Sequence, residues 1–265
     1  MQLQVNGLDT FASTGGKAIF NDEAPVLLFI HGSGQSHMSW VLQGRFFANR
    51  GWQVLSPDLP GHGLSKGAPL TTIEAMADWC AAFLDAAGVQ KATVIGHSQG
   101  GLISLELAKR HPEKVTKLAL LACAMSIPVN DALLGMAQTQ EPKAIAAMMA
   151  WGHDKAARLH DHTMPGQSHS NFGKRVMGNN AEGALFADLT ACVNYNGGEI
   201  AAKAVGCPTL CVLAGKDRMT PLKFGQKMAE TVPHAQLEII PKAGHMLTGE
   251  WPVETNVALR DFFNL

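Results

Sequence analysis

The chain has few charged side chains: Asp, Glu, Lys and Arg make up 16% of its 265 residues. Its 21 basic and 22 acidic residues leave a formal net charge of −1. Because nucleic-acid binding depends on clustered Lys and Arg that displace counterions, this balance argues against a nucleic-acid partner. It also indicates that no strong overall field attracts the substrate.

The sequence also lacks a disulfide framework, a long apolar run and a targeting pattern. An odd number of cysteines in apolar contexts indicates a reducing compartment; they are Cys80, Cys123, Cys192, Cys207 and Cys211. The last two are four residues apart without a second ligand pair nearby, so we expect no metal there. The longest apolar run, 118–125, is too short for a membrane span, and residues 1–7 do not resemble a signal peptide. We therefore expect a cytoplasmic protein without a membrane partner.

What the sequence does contain is an alternation of apolar strands and helical stretches. An Asn6-Gly7 turn predicts an antiparallel hairpin at the start of the chain. A continuous apolar run at 25–30 then predicts a strand that is buried on both faces, and further strands are predicted at 52–56, 93–95, 115–123, 208–214 and 235–240. Helical stretches separate these strands. The fold class is therefore α/β, with a mostly parallel sheet covered on both faces.

The alternation stops between residues 125 and 200. Stretches 144–151 and 181–193 predict helices, and polar, glycine-rich material at 164–170 lies between them. We interpret residues 125–200 as a helical cap inserted into a core formed by residues 1–124 and 201–265. Methionines in this segment suit an adaptable apolar surface, although many would simply pack the cap on the sheet: Met125, Met136, Met148, Met149, Met164 and Met177.

The sequence Gly96-His97-Ser98-Gln99-Gly100 is typical of a nucleophile elbow. It follows an apolar strand and precedes a helix that extends to Arg110. In such an elbow a sharp turn displays the serine, and small neighbours let the two backbone segments pass closely. We therefore predict Ser98 as a nucleophile.

A serine nucleophile needs an imidazole to accept its proton and a carboxylate to orient that imidazole. Loops that follow parallel strands meet at one edge of the sheet. The loops after two later strands supply Asp217 and His245, so we predict a Ser98–His245–Asp217 triad. For the oxyanion hole we predict the backbone amides of Gln99 and Ser33, with Gly34 as the less favoured second donor.

Taken together, these motifs resemble the α/β-hydrolase superfamily, in the branch with a helical cap after the sixth strand. The matching segments are 31–34, 58–65, 96–101, 215–218 and 243–245. The resemblance implies an eight-stranded, mostly parallel sheet and a serine hydrolase. It also implies that Asp58 is a structural residue of its loop rather than the triad acid. We expect His31, His62 and His97 to hold loops by local hydrogen bonds.

The substrate pocket is less clearly indicated. Trp40, Trp151 and Met125 are candidate substrate contacts, and so is Phe172, although packing in the core is an equal interpretation for the aromatic rings. Residues that could suggest a metal site lie in a polar segment that reads as solvated: His153, Asp154, His160, Asp161, His162 and His169. We expect neither a metal nor another cofactor.

The predicted function is hydrolysis of a carboxylic ester of a small, largely apolar substrate through an acyl-enzyme on Ser98. An alternative is a carbon–carbon bond hydrolase or enol-lactonase of aromatic-ring degradation that uses the same triad. Its anionic substrates would be favoured by a cation in the pocket, such as Arg158, Lys174 or Arg175. A third alternative is a ligand-binding receptor on a hydrolase scaffold. The oligomeric state does not follow from the sequence.

Overall fold

The computed structural model describes residues 1–17, 24–155 and 168–264. In these residues an eight-stranded sheet has the order β1-β2-β4-β3-β5-β6-β7-β8. The strands are β1 Gln2–Val5, β2 Leu8–Ser13, β3 Val26–Ile30, β4 Gln53–Pro57, β5 Ala92–His97, β6 Val115–Leu121, β7 Thr209–Ala214 and β8 Gln236–Ile240. The first two strands pair antiparallel and β3 to β8 run parallel, which confirms the predicted fold class.

Helices connect the parallel strands. They are α1 Val41–Ala48, α2 Ile73–Ala86, α3 Gln99–Arg110, α4 Asp131–Thr139, α5 Glu141–Gly152, α6 His169–Met177, α7 Ala184–Asn194, α8 Gly198–Ala204, α9 Leu222–Thr231, α10 Leu247–Glu250 and α11 Pro252–Phe263. Short 3-10 turns occupy His37–Trp40 and Pro112–Lys114. Among these helices none is both long and apolar enough to cross a membrane.

The continuous apolar runs follow from burial of both sheet faces. In β3, Leu28 and Ile30 join an apolar cluster with α2 and α3, whereas Leu27 and Phe29 join a second cluster with α1 and α11. Successive side chains of a strand point to opposite faces, so every position of such a strand must be apolar. This packing fixes the carboxyl ends of the strands at one edge, where the loops carry the predicted site residues.

The helices α4, α5, α6 and α7 lie between β6 and β7, and we call them the inserted helices. They share a third apolar cluster that includes Leu133, Ile145, Met148 and Leu189. The sequence predicts only two of them, α5 and α7, whereas α4 and α6 are additional helices. A signal for α4 was present, because the side chain of Asn130 caps it by accepting a hydrogen bond from the Leu133 amide at 2.8 Å.

The residue 200 boundary of the predicted cap falls inside α8. That helix packs against α3 and α9, which belong to the sheet's own layers. The division into a core and a cap at 125–200 stays a prediction, and residues 156–167, which include Met164, lie outside the described residues.

Candidate active site

Ser98 occupies a strained turn between β5 and α3. Its backbone angles, φ 55° and ψ −120°, lie in a region that non-glycine residues rarely adopt. Its glycine neighbours are required by close backbone approach. A Cβ on Gly96 would lie 2.1 Å from the carbonyl oxygen of Gly100, and one on Gly100 would lie 2.2 Å from that of Ile30. The sharp turn that the sequence predicts is therefore present.

Asp217 and His245 meet in the loops after β7 and β8. His245 Nδ1 donates to Asp217 Oδ2 at 2.8 Å, and both residues are buried. The amides of Met219 and Thr220 donate to Asp217 Oδ1, each at 2.8 Å. Burial opposes ionisation of Asp217, but the charge of His245 and these hydrogen bonds outweigh it and lower the pKa of the carboxyl. An ionised Asp217 fixes the His245 tautomer whose Nε2 can accept a proton.

His97 holds the backbone of His245 in place. Its Nε2 donates to the carbonyl oxygen of His245 at 2.8 Å, and the two rings lie 5.0 Å apart between centroids. Complete burial, followed by the nearby charge of His245, lowers the pKa of His97 to about 3. His97 is therefore neutral and acts as a local hydrogen-bond donor, as expected from the sequence.

Ser98 and His245 line one cavity, which we call the catalytic cavity. Its empty volume, open solvent at its mouth included, is about 640 Å³. Its remaining walls combine residues of the sheet-edge loops with residues of the inserted helices, including Ser33, Leu133, Met148, Trp151, Leu189 and Arg218. The inserted helices thus form the wall that faces the sheet edge.

Of the two predicted oxyanion donors, Ser33 lines this cavity, and Gln99 directly follows the lining residue Ser98. The amide of Gln99 begins α3, where helix amides lack intrahelical acceptors. The alternative donor, the Gly34 amide, already donates to Asp188 Oδ2 at 2.7 Å. In the described part of the chain no protein acceptor engages the amide of Ser33 or Gln99. This arrangement favours Ser33 over Gly34, and the oxyanion hole stays a prediction.

Asp188 is a site residue that the sequence reasoning missed. It lies on α7 and is fully buried. Its Oδ2 accepts one hydrogen bond from the Gly34 amide and another from His62 Nε2 at 2.9 Å. Its carbonyl oxygen accepts from the side chain of Gln99 at 2.9 Å. Burial lowers the pKa of His62, but the charge and hydrogen bond of Asp188 more than offset it and raise the pKa. Asp188 thus ties an inserted helix to Gly34, the residue after Ser33, and to the side chain of Gln99.

The candidate substrate contacts occupy three different environments. Trp151 lines the catalytic cavity and is 38% exposed. Trp40 does not line it, because its ring is fully buried against Phe29 in the core, a correction to the expectation from the sequence. Met125 lies just after β6, packed beside the core near Gly198, and is not part of the cavity wall either.

The other carboxylate and histidine candidates are engaged elsewhere. Asp58 is hydrogen-bonded to the amide and ring of His37, so the structure does not bring it to His245. His31 accepts from the Leu59 amide at 3.2 Å, and burial lowers its pKa to about 4. His153 and His169 stack at 5.8 Å, whereas His160, Asp161 and His162 lie outside the described residues. Within the described ranges no group of three or more potential metal ligands occurs, and Cys207 and Cys211 therefore belong to none.

Comparison with known proteins agrees with this architecture. The model of the alpha/beta hydrolase family matches residues 27–258. Pimeloyl-[acyl-carrier protein] methyl ester esterase of Neisseria meningitidis is 31% identical over 238 residues, 84% of this chain and 88% of that protein. Protein ABHD8 of Bos taurus is 28% identical over 243 residues, 89% of this chain, but the chain spans only 55% of that relative.

A solved structure extends the match to the fold. The enol-lactonase from Burkholderia xenovorans LB400 superimposes with a TM-score of 0.90 at 21% identity, covering all of both chains. That identity is low, so this likeness concerns the fold alone. The family match covers most of the chain, and the elbow, the Asp217–His245 pair and the strand order fit it. The chain belongs to the alpha/beta hydrolase family.

Proposed function

We propose that the protein is a serine hydrolase that cleaves a carboxylic ester of a small, largely apolar substrate. The observation that carries this proposal is the placement of Ser98 and the Asp217-bound His245 on one cavity. Apolar side chains such as Leu133, Met148 and Leu189 line that cavity and suit an apolar substrate.

In the proposed reaction, His245 Nε2 takes the proton of Ser98 as the hydroxyl oxygen attacks the ester carbonyl carbon. The amides of Ser33 and Gln99 hold the negative oxygen of the tetrahedral intermediate. His245 then returns the proton to the alcohol oxygen as the ester C–O bond breaks. Water activated by His245 attacks the acyl-enzyme and releases the carboxylic acid, which restores Ser98.

The relatives support an ester as the substrate class. The relative from Neisseria meningitidis, which aligns with this chain over most of both proteins, is by name a methyl ester esterase. A further neighbour, a thermophilic esterase, shares 26% identity with a TM-score of 0.82 over the whole chain. These names concern those proteins, and the acyl group that this protein prefers has to be measured.

Replacement of Ser98 by Ala tests the nucleophile. We expect kcat on p-nitrophenyl butyrate to fall by about 10⁵-fold or more, because the members of a triad act as a unit. The matched control is Ser126→Ala, which removes an exposed hydroxyl outside the catalytic cavity. A fluorophosphonate should label the Ser126→Ala protein but not the Ser98→Ala protein. Labelling of Ser98 without turnover of any ester would favour the receptor alternative.

The second candidate function is hydrolysis of a lactone or vinylogous diketone that carries an anionic group. The observation that favours it is Arg218, whose side chain lines the catalytic cavity while donating to Ala150 O at 2.7 Å. The cations named from the sequence do not supply this charge: Lys174 and Arg175 are exposed away from the cavity wall, and Arg158 lies outside the described residues. A kcat/KM that is higher for an anionic enol-lactone than for neutral esters, and that falls in Arg218→Met, would decide for this candidate.

A further inference from the structure

A second cavity adjoins the catalytic cavity, and we call it the side cavity. It lies between the start of α1, the inserted helices α5 and α6, and the loop that follows His245, and its empty volume, open solvent at its mouth included, is about 590 Å³. Its walls include Met38, Leu42, Met149, Phe172, Val176 and Met177. Among the described residues on its wall none is Asp, Glu, Lys or Arg, and the polar ones include His153 and His169. The side cavity therefore suits an uncharged, apolar group.

Gln35 and Met246 line both cavities and separate them. The Gln35 side-chain amide donates to Met246 Sδ at 3.2 Å. A thioether is a weak acceptor on a flexible side chain, so this contact can open at little cost. Each residue is also joined to the reaction centre by the chain, since Gln35 follows the oxyanion loop and Met246 follows His245.

The Gln35 side chain carries a sign of a missing partner. Gln35 is 7% exposed, and its Oε1 atom has no hydrogen-bond donor among the residues that the structure describes. Buried polar atoms normally have a partner, so an oxygen of this kind at a boundary between cavities points to a ligand or to movement of the side chain. Either one would change the contact with Met246.

We propose that the side cavity is the continuation of the substrate site and holds an unbranched, uncharged alkyl chain. The Gln35–Met246 contact is the gate through which the chain passes from Ser98. The walls explain the preference for a flexible chain, because methionine side chains adapt to its shape. This inference rests on the proposed ester hydrolysis, and the chain can belong to the acyl or to the alcohol half of the ester.

Val176→Phe tests the proposal by filling the side cavity. Val176 is 8% exposed and lines only this cavity of the two. We would measure kcat/KM for p-nitrophenyl acetate and octanoate, and for ethyl and octyl acetate. We expect the octanoate-to-acetate ratio, or the octyl-to-ethyl ratio, to fall by about tenfold or more, since each excluded methylene costs binding. The series that responds identifies which half of the ester enters.

Val253→Phe is the matched control, because Val253 is 68% exposed on α11 and lines neither cavity. Thermal unfolding checks that both variants fold, and Val176→Ala, which enlarges the cavity, replaces the larger substitution if Val176→Phe does not fold. In that variant the long-chain ratio should shift by at least about threefold. Ratios that stay at the wild-type value in both series would overturn the inference and leave the proposed ester hydrolysis intact.

Binding of octan-1-ol to the Ser98→Ala protein gives a readout that does not depend on turnover. We expect the Val176→Phe substitution to weaken this binding by about tenfold, and the Val253→Phe substitution to leave it unchanged. If no ester is hydrolysed but this difference appears, the proposed reaction fails and the chain-binding cavity stands. Equal octanol affinities in the two variants would contradict the side cavity as a chain site.

Discussion

Two buried aspartate–histidine pairs differ in what surrounds the imidazole. In the pair Asp217–His245 the separation is 2.8 Å, and His245 faces the catalytic cavity with Ser98. In the pair Asp188–His62 it is 2.9 Å, but the other ring nitrogen of His62 is bonded to Pro60 O at 3.0 Å. An imidazole with both nitrogens committed cannot accept a substrate proton. We therefore propose that the same chemical pair serves proton transfer in one region and loop positioning in the other.

A third pair extends the comparison. The fully buried Asp58 contacts the ring of His37 at 2.9 Å and accepts the Leu64 amide at 2.9 Å. Burial opposes its ionisation, but His37 and these amides outweigh burial and lower its pKa. Asp58 and Asp217 both follow strands of the parallel sheet. Only the ring beside Asp217 lines the catalytic cavity, so substitutions of these carboxylates should have very different effects.

Among substitutions in these three pairs, Asp217→Asn should have the largest effect on activity. We expect kcat on p-nitrophenyl butyrate to fall by about 10⁴-fold, because an amide no longer stabilises the charged imidazole or fixes its tautomer. Circular dichroism and thermal unfolding would show that the variant folds. A loss of less than about tenfold would mean that another carboxylate acts as the triad acid.

Asp188→Asn should have the next largest effect. It weakens the hold on the Gly34 amide and removes the charge beside His62, so the loop that carries the Ser33 amide loses support. Loss of one oxyanion donor costs about 10²–10³ in kcat, and we expect a displaced donor to cost about tenfold to a hundredfold. KM should change little. A drop in thermal stability with an unchanged kcat would instead assign Asp188 a purely structural role.

The contrast between Asp217 and Asp188 also shows what the sequence could predict. The placement of Ser98, Asp217 and His245 at one edge of the sheet was predictable, because glycines mark the elbow and loops after parallel strands meet at one edge. Asp188 lies on a helix 154 positions from Gly34 in the chain, and nothing local to α7 indicates a contact with that amide. Trp40 was ambiguous for a related reason, since an aromatic side chain near a motif loop suits a pocket and a core equally.

Asp58→Asn should lower stability with little effect on activity. It leaves buried donors of His37 and Leu64 with a weaker, uncharged acceptor, and we expect a loss of about 2–3 kcal/mol in the free energy of unfolding. Urea denaturation measures this loss. The value of kcat on p-nitrophenyl butyrate should stay within about threefold of the wild-type value. A large loss of kcat in a folded Asp58→Asn protein would instead support Asp58 as the triad acid.

His62→Gln should have the smallest effect, and that effect should depend on pH. Because Asp188 raises the pKa of His62 in the folded protein, the folded state holds this proton more tightly than the unfolded state. The stabilisation is complete below the unfolded histidine pKa of about 6.5 and is lost as the pH rises through the folded value. Urea unfolding of both proteins at about pH 6 and about pH 9 should therefore show a larger wild-type advantage at the lower pH. An advantage that grows with pH would mean that His62 is neutral in the fold, and the Asp188–His62 pair would then be a hydrogen bond rather than an ion pair.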